Sequence, residues 1–109
     1  MRTTETRYES VVARMLEDPR IRRSTMMGYP CLRFEDRFFV SFDPRADAVV
    51  IKLPQQRVRK LVVEGLGYPL APTGRVFRKW ISLPPESADA WDELVEDARK
   101  IALLHEPGT

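Results

Sequence analysis

The chain carries one thiol, Cys31, and one imidazole, His105. A thiol nucleophile needs a base within hydrogen-bond reach and a third group to orient that base. No motif joins these two residues: Cys31 falls in a strand-like run and His105 at the end of a helical one. Cys31 therefore reads as a small buried apolar residue, and His105 as a favourable charge at a helix C-terminus. One Cys and one His cannot supply a structural zinc site. Asp92, Glu93, Glu96 and Asp97 form carboxylate pairs at helical spacing. Without histidine or a calcium-loop spacing they read as a solvated helix face. Gly65-Leu66-Gly67 stands at a helix end, whereas a phosphate cradle precedes a helix start. No catalytic residue, metal or cofactor is expected, and the chain does not read as an enzyme.

What remains is charge and its placement. The net charge is only +2, but Arg20 to Lys79 holds 13 basic and 5 acidic residues, and Glu86 to Asp97 holds 6 acidic and no basic ones. Such segregation either creates a two-faced field or simply solvates the surface while suiting local helix ends. The basic residues cluster in three segments: Arg20, Arg22 and Arg23; Arg57, Arg59 and Lys60; and Arg75, Arg78 and Lys79 beside Trp80. Arg and Lys near an aromatic ring bind phosphates and stack on bases. No DNA- or RNA-reading motif accompanies them. These ten residues are the candidate contacts for nucleic acid or for a protein partner, with ordinary surface charge as the plain alternative. Tyr8, Tyr29, Tyr68 and Trp80 mark either a partner surface or the core and its edge.

The elements that must position these residues follow from periodicity. Tyr8, Val11, Val12, Met15 and Leu16 repeat as one face of a helix. Thr6 and Glu9 have capping-box spacing, with Thr3 or Thr4 as other caps, and Pro19 stops the helix. A mostly polar bridge from Arg20 leads to Met26-Met27-Gly28, with room for a short strand. Tyr29 to Phe34 and Phe38 to Phe42 form a hairpin around Glu35-Asp36-Arg37. After the turn at Pro44, Ala48 to Leu53 is apolar on both faces and reads as a central strand. Pro54 suits the first turn of a helix carrying Val58, Leu61 and Val62, and Gly65 suits its left-handed cap. A loop with a short extended piece at Tyr68 to Ala71 follows, then a strand from Arg75 to Leu83 ended by Pro84-Pro85. Ser87 is a fair N-cap for a closing helix with Trp91, Leu94, Val95, Ala98, Ile101 and Ala102 on one face.

The order is helix, three or four strands, helix, one or two strands, helix. Written α-β-β-β-α-β-β-α, it is an α+β domain with helices packed on an antiparallel sheet. The 109 residues fit one domain, with a tail from about residue 105. The 43% apolar share supports a folded core. No run approaches the ~20 apolar residues of a membrane span. The polar start lacks a secretory core, and a lone cysteine suits a reducing compartment. A soluble cytoplasmic protein without membrane attachment is expected.

Several runs resemble a known group. These are Met26-Met27-Gly28-Tyr29-Pro30-Cys31-Leu32, Lys52-Leu53-Pro54, Gly74 through Ile81, and Trp91, Leu94 and Ala98 in the closing helix. Together they resemble small bacterial proteins of the TfoX N-terminal-domain and MmcQ/YjbR-like groups, over about Val11 to Ala102. The resemblance implies a fold of helix, three strands, helix, two strands, helix, similar to type III secretion chaperones. It also implies a link to competence regulation or DNA binding, and no catalytic residue. The chain departs from the TfoX pattern at Met27, where Phe is usual. The functional expectation is a binding or regulatory domain engaging a protein partner or a second copy of itself. The alternative is a DNA-binding protein with a basic face.

Overall fold

A computed structural model describes residues 3–26, 28–71 and 74–104 of the chain. Met27, His105 and the tail from about residue 105 lie outside the described residues. The elements are α1 (Thr3–Met15), β1 (Ile21–Met26), β2 (Tyr29–Phe34), β3 (Arg37–Asp43), β4 (Ala48–Lys52), α2 (Gln55–Val63), β5 (Tyr68–Leu70), β6 (Phe77–Leu83), a 3-10 turn (Pro85–Ala90) and α3 (Trp91–Leu104). The strands form one antiparallel sheet in the order β1-β2-β3-β4-β6-β5. The class is α+β, as the periodicity implies.

Four strands separate the first two helices: the three of the order α-β-β-β-α and the short strand allowed before Gly28. The polar bridge after Arg20 is a full strand, with all six residues of β1 paired to β2. Its sequence hides this because β1 is an edge strand. Arg22, Arg23 and Thr25 are exposed, and charges there discourage pairing with another chain. The central-strand reading of Ala48 to Leu53 holds: β4 lies between β3 and β6, and Val49, Val50 and Ile51 are all buried.

In α1, Tyr8, Val11, Val12 and Met15 are buried, while Leu16 lies past the helix end and is exposed. The helix already runs at Thr3, so Thr6 and Glu9 sit inside it and form no capping box. Pro54 is the N-cap of α2 rather than its first helical residue. At the other end, Gly65 has φ +78°. Its N–H donates to the Val62 carbonyl at 3.0 Å, and the Leu66 N–H donates to the Leu61 carbonyl at 3.0 Å. This paired arrangement closes the helix with a left-handed residue. Ser87 does not cap α3. It is buried in the 3-10 turn, and its Oγ donates to the Leu66 carbonyl at 2.6 Å. The turn thereby locks the loop after α2 against the start of α3.

One apolar layer lies between the sheet and the helices. It joins Tyr8, Val11 and Val12 of α1, Val58 and Leu61 of α2, and Trp91, Leu94, Val95 and Ala98 of α3 to Leu32, Phe34, Phe39, Val40, Phe42, Val49, Ile51, Ile81 and Leu83 of the sheet. Trp91 is wholly buried, and its Nε1 donates to the Pro84 carbonyl at 3.2 Å. Tyr8 stacks on Phe42 with ring centroids 5.0 Å apart. A bulge helps fill this layer: Leu32 pairs with Val40 and Arg33 with Phe38, so Phe39 is the extra residue. Phe39 and Val40 then both reach the helix side, where strict alternation would turn one of them away.

Gly67 marks a close approach of the chain to β6. A Cβ there would lie 2.7 Å from Ile81 Cδ1 and 2.9 Å from the Ser82 carbonyl oxygen. The second contact is backbone and cannot swing aside. Gly67→Ala is expected to destabilise the fold by about 1–3 kcal/mol, read as a lower urea midpoint at unchanged slope.

Candidate functional site

The residues of the sheet in the apolar layer face the helices, so the alternate residues form a second face that, among the described residues, no helix covers. The strand register orders this face into rows. The middle row runs Ser24, Cys31, Ser41, Val50, Ser82 and Tyr68 across the sheet. It is built from small side chains: Cys31, Ser41 and Val50 are buried, while Tyr68 at the far edge is 64% exposed. The Ser41 Oγ donates to the Pro30 carbonyl at 3.0 Å. Burial pushes the Cys31 thiol up, which favours the inert form.

A neighbouring row carries the larger groups. Arg22 pairs with Arg33, Arg33 with Phe38, and Lys52 with Trp80. Phe38 and Lys52 share the lining of one hollow. The row crosses five strands, about 19 Å at the usual strand spacing. The Arg33 guanidinium lies 5.6 Å from the Phe38 ring centre, a cation–π distance. Its Nε is buried without an acceptor among the described residues, and its Nη2 lies 3.6 Å from the exposed Asp36. Tyr29, Phe38 and Trp80 are half-buried, and Arg22 and Lys52 are exposed.

The nine basic residues marked by sequence do not converge. Arg22 and Trp80 lie on the open face. Arg23 reaches the helix side, where its guanidinium donates to Glu9 at 3.1 and 3.3 Å. Arg20 donates to Asp18 at 2.9 and 3.0 Å and lies 4.9 Å from the Phe34 ring centre. Arg57 on α2 donates to Asp97 on α3 at 2.9 Å. Arg59 and Lys60 are exposed on α2, and Arg75, Arg78 and Lys79 are exposed at and just before the start of β6. Strands β1 and β6 are separated by three others, so their basic groups do not form one cluster. Arg33, Phe38 and Lys52 were not marked by sequence. The signal for Arg33 is alternation: a cation between buried Leu32 and Phe34 must face the other side.

Part of the acidic segment is paired on the helix side. Asp89 pairs with Arg7 at 3.3 Å, Asp92 with Arg14, and Asp97 with Arg57 at 2.9 Å. A hollow of about 590 Å³ between the α1 end and α3 is lined by Glu17, Asp18, Arg20, Glu96 and Arg99 among others. Its charges are largely tied to one another. Asp18 accepts from Arg20 and from Arg99 Nη1 at 3.2 Å, and Glu96 accepts from Arg99 at 2.6 Å. Hydrogen bonds from Arg20 hold the Asp18 carboxyl down to about 2, and those from Arg99 lower Glu96. This is a network that staples α1, β1 and α3. Among the described residues, no group of three or more His, Cys, Asp or Glu side chains is placed to hold a metal ion, and no helix is long and apolar enough to cross a membrane.

No family model, curated protein or solved structure matches the chain.

Because Asp18 titrates near 2 when folded and near 3.8 when free, its network contributes stability above about pH 4, lost as pH falls through 2. The stability gap between wild type and Asp18→Asn, measured by urea unfolding, is expected to be full at pH 6 and to close towards pH 2.

Proposed function

We propose that the protein is a small binding domain rather than an enzyme, that it works in the cytoplasm, and that it engages a protein partner through the helix-free face of its sheet. The observation that carries this reading is the row Arg22, Arg33, Phe38, Lys52 and Trp80 on a face left uncovered by all three helices. Interface centres favour aromatic residues and arginine, and both are present here. The cations of the row favour an acidic partner. A second copy packed face to face would oppose like charges, which costs energy where water is excluded. The resemblance to TfoX- and YjbR-like proteins supports a binding or regulatory role but assigns no residue to it.

A second reading is a single-stranded nucleic acid lying across the same row. Its support is the mixture of cations with flat rings on a sheet surface, which suits backbone phosphates and stacked bases together. Competence regulation has no residue-level support.

The test compares two charge-reversed proteins. Arg22→Glu with Arg33→Glu alters the open face, and Arg59→Glu with Lys60→Glu alters α2. Partner binding, measured by quantitative affinity capture followed by titration of the captured protein, is expected to fall at least tenfold in the first and to hold in the second. Equal binding by both would sink the assignment of the face. Fluorescence anisotropy with a labelled single-stranded oligonucleotide separates the second reading, for which affinity must fall steeply with salt. Sedimentation is expected to show a monomer, and a dimer broken by the Arg22→Glu, Arg33→Glu protein would identify a second copy as the occupant.

A further inference from the structure

We infer that the hollow where β4 meets α2, beside the last turns of α3, binds a small amphipathic carboxylate: an aryl acid or a short acyl chain. The hollow measures about 220 Å³, and its apolar lining includes Phe39, Leu53, Ala98 and Ile101. Three cations, Arg37, Lys52 and Lys79, also line it, and among the described residues no acidic side chain does.

Each cation has a distinct position. Arg37 Nη2 donates to the Ala102 carbonyl at 2.9 Å, so its guanidinium is held at the end of α3 and serves as a wall. Lys52 ends β4, and Lys79 lies on β6 with its carbonyl accepting from the Leu53 N–H at 3.0 Å. The two lysines therefore flank the Leu53-Pro54 connection from opposite strands. Both side chains are exposed, and among the described residues neither ammonium is in an ion pair. The first turn of α2 contains no acidic residue, so nothing on that element offsets them.

The ligand class follows from charge, floor and size together. The lining carries three cations and, among the described residues, no carboxylate, so an anionic group on the ligand offsets its charge. An inorganic anion would leave the apolar floor unfilled, and a neutral apolar molecule would leave the lysines unpaired. A cavity of about 150 Å³ holds one benzene ring. The present hollow is larger by less than a further ring, so it suits one ring or a chain of about six to eight carbons with a single carboxylate. This inference does not rest on the open face being an interface, although Lys52 stands at the border of both.

The experiment is a titration of the full chain with octanoate, followed by amide chemical shifts. Octanol and inorganic phosphate serve as comparison probes. Expected are saturable shifts confined to Phe39, Leu53, Gln55, Lys79 and Ile101, with both comparison probes at least about tenfold weaker. The Lys52→Gln, Lys79→Gln double variant should lose about tenfold in octanoate affinity at an unchanged thermal midpoint. Arg59→Gln with Lys60→Gln should bind like wild type. The inference is overturned by an absence of saturable shifts, by shifts centred elsewhere, by octanol binding as well as octanoate, or by a double variant with wild-type affinity.

Discussion

The apolar layer between the sheet and its three helices sets every other feature of this molecule. Burial of apolar surface is the main favourable term in folding, and a chain of this size has material for one such layer. Trp91, Phe34, Phe39, Leu32 and Ile51 are withdrawn almost completely from solvent within it. All three helices contribute to the same layer. The second face of the sheet is consequently left to side chains alone. The centre of its middle row stays dry because Cys31, Ser41 and Val50 are small or medium side chains set beside larger ones.

Charge follows the same asymmetry. The acidic stretch of the closing helix meets arginines from α1, α2 and its own next turn. Pairs this exposed contribute little each, but they offset part of the acidic field on the helix side. The cations on the sheet side have few such partners, so a nearly neutral protein presents a basic, aromatic face. The two-faced field suggested by the sequence thus survives in altered form. Its acidic half is partly paired, and its basic half is spread over the open face at Arg22, Arg33 and Lys52, over α2 at Arg59 and Lys60, and over β6 and the residues before it.

Those runs illustrate why the site was less legible than the fold. Arg23 and Arg22 are adjacent, yet strand alternation sends one to Glu9 on α1 and the other to the open face. Arg57 spans to α3, while Arg59 remains in solvent. A cluster in sequence is a cluster in space only when the element's period keeps it on one side. Ser87 makes the same point. Its type suits a cap, but the carbonyl it serves, that of Leu66, belongs to a distant loop.

The amino-acid sequence by itself determined the class and most of the elements of this protein. Periodicity is local, and Trp91, Leu94, Val95 and Ala98, or Val49 to Ile51, declare their element without reference to anything distant. It also determined the end of α2, because a left-handed residue after a helix calls for glycine. The tertiary structure alone decided the full length and edge position of β1, the bulge at Phe39 and the alignment of Arg22, Arg33, Phe38, Lys52 and Trp80 in one row. Each depends on pairing between strands far apart in the chain, and on which face the helices cover. Local preference carries no record of either.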